Sequence, residues 1–199
     1  QPVHFAVGFK HHELLARLDK ELDIPSHATK PARPHHERFI NHYFSKYTDP
    51  SMPPVWMLAE LLSLGTWSLL FSNLRQAAER KLIAGSFGVD EFILKNWLHA
   101  MTNLRNICAH HSRLWNRQFS IKPMIAKKHA KFLRTNDRLY AMLVVLCDLL
   151  GSASPGTSWP QRLASLMTAH PSIDPAAMGF PLNWKQEAFW QLASEDYTI

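Results

Sequence analysis

From Glu91 onward the apolar residues recur with the period of an α-helix. Ile93, Trp97, Met101, Leu104, Cys108 and Trp115 follow one another at steps of three, four or seven. That spacing puts them on one stripe of a helix whose other face is polar. A stripe of this kind has to be buried against further helices or a sheet. No alternating β-branched segment and no hairpin dipeptide occurs to supply a sheet, so the chain is expected to be all-α. Of its 199 residues 46% are hydrophobic and 19% charged. That is enough apolar material for a real core in one domain of ordinary size, and it argues against disorder.

The remaining elements follow from similar cues. Residues 10–22 read as a short helix with Leu14, Leu15 and Leu18 on one face, followed by a loop with Pro25, Pro31 and Pro34. Ile40, Phe44 and Tyr47 form a core-facing stripe on a helix over 37–47. Residues 54–73 are apolar nearly all round, which predicts one long helix at the centre of a bundle. A helix over 76–84 comes next, and Asp90 is a candidate N-cap for the helix running from Glu91 to His111 or beyond. Asp137 is expected to cap a helix stopped by Gly151, and Ser158 with Gln161 has capping-box spacing. An aromatic, less regular tail covers 176–190. The apolar run 53–71 carries Glu60 near its middle, so it is expected to be a buried helix and not a membrane span. Cys108 and Cys147 both sit in apolar helical patterns, without CxxC spacing. Reduced, buried thiols of a cytosolic protein are the simplest expectation, and a nucleophilic role for Cys108 is not.

The polar back of the 91–111 helix is unusual in its residue types. On an ideal helix Asn106, His110, Arg113 and Arg117 form one stripe almost opposite the apolar one. A solvated back favours Lys, Glu and Gln in i,i+4 pairs; this one has an asparagine, a histidine and two arginines, with no acid. Arg105 sits about 140° from His110 on the same ideal helix. The two meet only if the helix distorts or the arginine reaches around, or at a cleft against another surface such as a second copy of this helix. From Phe92 to Asn136 there is no Asp or Glu, yet nine Lys and Arg fall there, more than the net charge of +6 of the whole chain. Such a field attracts phosphates; a basic surface loop without further consequence is the plainer alternative. Glu60 either partners Arg105 or points outward. The histidine pairs at 11–12, 35–36 and 110–111 diverge on a helix and lack HExxH spacing, so no metal site is expected.

These residues carry a family resemblance. Arg105-Asn106-Ile107-Cys108-Ala109-His110 matches the Arg-Asn-x-x-x-His signature of the HEPN superfamily of helical ribonucleases. The longer run Arg105–Arg117 resembles the Abi family of bacterial abortive-infection proteins (AbiD/AbiF type). So do His42-Tyr43 with Lys46-Tyr47, Pro53-Pro54-Val55-Trp56 with Glu60, and Met178-Gly179-Phe180-Pro181 followed by Trp184. The resemblance extends over about 37–190. It implies a HEPN-like helical bundle over 36–151 with a C-terminal helical extension over 152–199. Members usually carry a further helical region ahead of the part seen here. Residues 1–35 are expected to be its remnant, and the start Gln1-Pro2-Val3-His4, without methionine or signal pattern, suits a piece of a longer protein.

The resemblance further implies a cytoplasmic endoribonuclease of a phage-defence or toxin-like system, working without metal or other cofactor. Two protomers would join their motifs to cut RNA to a 2′,3′-cyclic phosphate. His110 is then the general acid/base, Arg105 the phosphate stabiliser and Asn106 the positioning group, with Glu60 in support. Arg113, Arg117, Asn116, His111, Lys127, Lys128 and Lys131 are the expected RNA contacts. RNA and a second copy are the expected partners, with room for a regulatory RNA or an antitoxin and none for a membrane. Two other readings stand beside it: a non-catalytic module holding a small regulatory RNA, and a helical interaction protein whose motif only packs a dimer.

Overall fold

A computed structural model describes residues 2–25, 28–187 and 190. Among them the architecture is all-α: eight α-helices joined by loops and short 3-10 turns, with no strand beyond one isolated bridge between Phe5 and Leu74. The chain forms two compact units, residues 1–76 and 77–199. Residues 36–76 of the expected bundle thus lie in the first unit and 77–151 in the second. Ala188 and Phe189 of the expected aromatic tail lie outside the described residues.

The first unit is built from α1 (His11–Glu21), α2 (Arg38–Lys46), α3 (Val55–Leu61) and α4 (Leu64–Ser72). Leu18, Leu22, Ile40, Tyr43, Phe44 and Leu58 form its core, so the stripe over 37–47 is real except that Tyr47 is exposed. His35 is buried and fully used by the backbone. Its Nδ1 accepts from the Glu37 N–H at 3.0 Å, which leaves Nε2–H to donate to the Glu21 carbonyl at 3.1 Å. That pattern fixes the tautomer and gives His35 a structural role.

The single helix expected over 54–73 is two helices. The break falls at Leu62 and Ser63, because Ser63 competes for the backbone: its hydroxyl accepts from the Thr66 N–H at 3.2 Å and N-caps α4. Nor is this stretch central. Trp56 is 72% exposed, and Val55 and Leu69 are exposed as well.

The second unit is made of α5 (Ala77–Ser86), α6 (Glu91–Ala109), α7 (Leu139–Ala153) and α8 (Trp159–Ala169). Every residue of α7 from Leu139 to Val145 is buried, and α6 packs against both α5 and α7. Asp90 caps α6 through its carboxylate, which accepts from the Phe92 N–H at 2.8 Å. Glu91 beside it is buried and meets Arg80 of α5 at 2.6 Å. Two expected signals act otherwise. Asp137 leaves the N-cap of α7 to Arg138 and instead accepts from the Gln118 amide, and α7 continues through Gly151 to Ala153. Ser158 precedes α8 without a side-chain cap bond. Beyond α8, Met178, Phe180, Trp184 and Trp190 are buried; Phe180 and Trp190 pack on Tyr140, and the Trp190 indole donates to the Tyr140 hydroxyl at 3.0 Å. Gly179 has φ +82°, and a Cβ there would lie 2.7 Å from Arg138 Cβ; only glycine fits that approach. Among the described residues no helix is long and apolar enough to cross a membrane.

Candidate functional site

The stripe of α6 that faces the core is Leu94, Trp97, Ala100, Met101 and Leu104, all buried, with Ile93 half-buried. Cys108 and Trp115, expected on the same stripe, are exposed. Trp115 lies beyond the helix, which stops at Ala109 before the stripe is finished, whereas Cys108 is still in its last turn. His110 is its C-cap. His111 has φ +51° and donates its N–H to the Cys108 carbonyl at 2.9 Å, while the Ser112 N–H reaches the Ile107 carbonyl at 3.0 Å. This pair of bonds is a Schellman motif with histidine where glycine usually sits.

The ideal-helix stripe of Asn106, His110, Arg113 and Arg117 therefore ends at His110, and the two arginines lie on the loop beyond. Left-handed backbone costs a side-chain-bearing residue about 1 kcal/mol or more. His111→Gly is expected to stabilise the chain by up to about 1 kcal/mol in urea unfolding, and His111→Val to destabilise it, since β-branched residues tolerate this conformation least.

Arg105, Asn106 and His110 occupy the last turn of α6 and its cap, and all three are exposed. The arginine turns to its neighbour in sequence and not to His110: its Nη1 donates to Asn106 Oδ1 at 3.2 Å. Asn106 is one turn before His110 and accepts the His110 N–H at its carbonyl, 3.0 Å away. Asparagine thus links the guanidinium to the helical turn that ends in the imidazole. A helix C-terminus repels anions by its own dipole, so any phosphate attraction here has to come from side chains. Arg105 and Arg113 are exposed and form no ion pair among the described residues. Arg117 is half-buried and folds back to the Arg113 carbonyl at 3.3 Å. Asn116, with φ +50°, accepts from Arg138 at 3.3 Å and so ties the loop to the start of α7.

The basic run is less uniform than its sequence. Lys127 and Lys131 are exposed. Lys128 is committed: its Nζ lies 2.7 Å from Asp148 of α7, donates to the Phe87 carbonyl and sits over the Trp97 ring. Lys122 is 3.8 Å from Asp137. The hydrogen bond from Gln118 and the Lys122 charge hold the Asp137 carboxyl below its ordinary range. Beneath the run lies a group that the sequence did not announce. His129 is 1% exposed, stacked on Trp97 with centroids 5.4 Å apart, and its Nε2 is 3.1 Å from Asp148 Oδ2. Nothing in the spacing distinguishes His129 from its exposed lysine neighbours. Glu60 is exposed on α3 in the first unit, whereas Arg105 belongs to the second. Among the described residues no group of three or more His, Cys, Asp or Glu is placed to share a metal ion.

The model of the Abi-like protein family matches residues 4–116 of the chain. The match takes in all of α1 to α6 and the Arg105–His110 motif, and it leaves α7, α8 and the aromatic tail outside. It begins well before the expected residue 37 and ends well before 190. Comparison with curated proteins and with solved structures finds no match.

Proposed function

The chain belongs to the Abi-like protein family, of abortive-infection type, and on that footing we propose that it is a metal-independent endoribonuclease of HEPN type acting as a dimer. The observation that carries this reading is the Arg105–Asn106 hydrogen bond one turn before His110. It sets a cation and an amide on the last turn of the helix that His110 caps, and a cation and an imidazole are the group types that cleavage by the RNA's own hydroxyl uses.

In that reaction a ribose 2′-oxygen attacks the adjacent phosphorus. One histidine takes the 2′-OH proton, the P–O5′ bond breaks, and a second imidazole delivers a proton to the departing 5′-oxygen. The products are a 2′,3′-cyclic phosphate and a 5′-hydroxyl. Arg105 would meet the charge that develops on the non-bridging oxygens. One chain offers a single motif histidine on an open surface. A second copy would supply the other imidazole, as His110 of the partner subunit, and would exclude water from between them. Cleavage of RNA in EDTA by the wild type, set beside His110→Ala, tests the reading.

The exposure of the whole motif also favours a second reading, an RNA-binding module without catalysis, since phosphate contacts alone need no enclosed site. Arg113→Ala with Arg117→Ala bears on both. Affinity for single-stranded RNA should fall, and the slope of log affinity against log salt should flatten by about 0.7 for each phosphate that is no longer neutralised. An unchanged slope would remove these arginines from the RNA surface.

A further inference from the structure

Where the last turn of α6 and the loop after it back onto α7 and α8, the second unit is hollow. The recess has a volume of about 570 Å³, inside the range typical of small-molecule sites. Leu104 and Cys108 of α6 form one wall, and Leu114 and Trp115 of the loop continue it. Leu143 and Leu146 of α7 face them, Leu163 and Leu166 of α8 close one side, and Met178 and Phe180 another. Among the described residues no Asp, Glu, Lys or Arg lines the space. His170, at the end of α8, is the one titratable lining group besides the Cys108 thiol among the described residues.

This chemistry selects its occupant. A phosphate or a nucleotide would lose its water there and meet no fixed charge among these lining groups, which disfavours it. An apolar molecule gains free energy with each methylene that it buries. Beside the recess the rings of Tyr140, Phe180 and Trp184 pack on one another. Here Leu166, 56% exposed, and Trp115, 43% exposed, stay open at the rim. The space is a recess walled by five segments of one unit and not a flat face, which suits a small molecule better than a partner helix. We propose that this recess binds an uncharged apolar small molecule whose single hydrogen-bonding group is set at His170.

Occupancy has a consequence for the motif. Leu104 and Cys108 belong to the turn that carries Arg105 and Asn106, and Leu114 and Trp115 to the loop that carries Arg113. A filled recess fixes the backbone on both sides of His110. That consequence rests on the ribonuclease reading; the binding itself does not.

The test uses N-phenyl-1-naphthylamine, a neutral fluorescent probe, with the full chain. Saturable binding is expected, and at roughly ten times its Kd the probe should slow maleimide labelling of the exposed Cys108 about tenfold. Burial pushes the Cys147 thiol up to about 11, so labelling reads Cys108 alone. Decanol should displace the probe, and decanoate, of equal length but charged, should do so far less well. Leu166→Arg places a charge at the open rim and should abolish binding. Leu82→Arg, at an exposed position of α5, should leave it intact. No saturable binding, binding that leaves Cys108 labelling unchanged or survives Leu166→Arg, or displacement by decanoate as strong as by decanol would each overturn the site. Absence of RNA cleavage would instead overturn the ribonuclease reading and leave these outcomes as they stand.

Discussion

Alanine at position 110 is expected to lower cleavage of single-stranded RNA in EDTA by about 10²-fold or more, while affinity for the same RNA changes little. The size follows from the loss of general acid–base catalysis, which contributes roughly 10²–10⁴-fold, or about 3–5 kcal/mol of barrier. In a dimeric site both the acid and the base would go at once, so the upper part of that range is the better guide. Affinity should hold because the phosphate contacts are assigned to the arginines. His110 is an exposed helix cap, and its side chain accepts no bond that the fold needs. The folded state should survive its truncation, as it should not for His35 or His129, which are buried and bonded. Arg105→Lys supplies the companion measurement. It keeps the charge but loses the planar fork that reaches Asn106, so cleavage should fall far more than binding. Cleavage that proceeds unchanged in His110→Ala would sink the catalytic assignment. Lost cleavage together with lost affinity would point to the binding module.

How much of this could be read in advance depends on whether a feature is local. The helical class, the Asp90 cap and the buried part of the α6 stripe are set by residues within a turn or two of each other, and they were legible. The motif was legible as a cluster, but its geometry was not. A helical wheel assumes that the helix continues, and nothing in Ala109-His110-His111 signals the left-handed turn at His111, because that position is usually glycine. With the helix ended, Arg113, Arg117 and Trp115 fall on the loop beyond it, off the helical stripes that the wheel assigns them. The same limit applied at Ser63, where a serine hydroxyl stopped a run that hydropathy alone would have continued. Long-range pairings were beyond reach altogether. An acid-free run of 45 residues suggested an unbroken basic surface, yet Asp137 and Asp148, from the chain that follows, neutralise Lys122 and Lys128. What remains open to phosphate is a smaller set, led by Arg105, Arg113, Lys127 and Lys131.

That pairing makes Trp97 the position where one substitution should have the largest effect on stability. Its ring is fully buried, stacks on His129 and lies under Lys128. Its indole N–H donates to the Met124 carbonyl at 2.8 Å. Trp97→Ala would empty that volume, orphan the carbonyl and unseat the histidine, a loss of about 3–5 kcal/mol on the scale of large aromatic truncations. Trp97→Phe keeps most of the packing and loses the hydrogen bond, so its loss should be nearer 1–2 kcal/mol. Asp148 gives the clamp a pH signature. Burial pushes its carboxyl up, but the hydrogen bonds and charges of His129 and Lys128 outweigh burial and leave it below the ordinary 3.8. A group depressed in the folded state contributes stability that is complete above its unfolded value and is lost as pH falls through its folded value. Stability should therefore decline below about pH 4, and Asp148→Asn should flatten that decline while lowering stability at neutral pH. The clamp also holds the connector that presents Lys127 and Lys131. Trp97→Phe, measured where it is still folded, should weaken RNA binding more than its modest loss of stability suggests. If Trp97→Ala unfolds with the wild-type urea midpoint, or Asp148→Asn leaves the acid limb as steep as before, His129 and Asp148 do not hold the connector to α7.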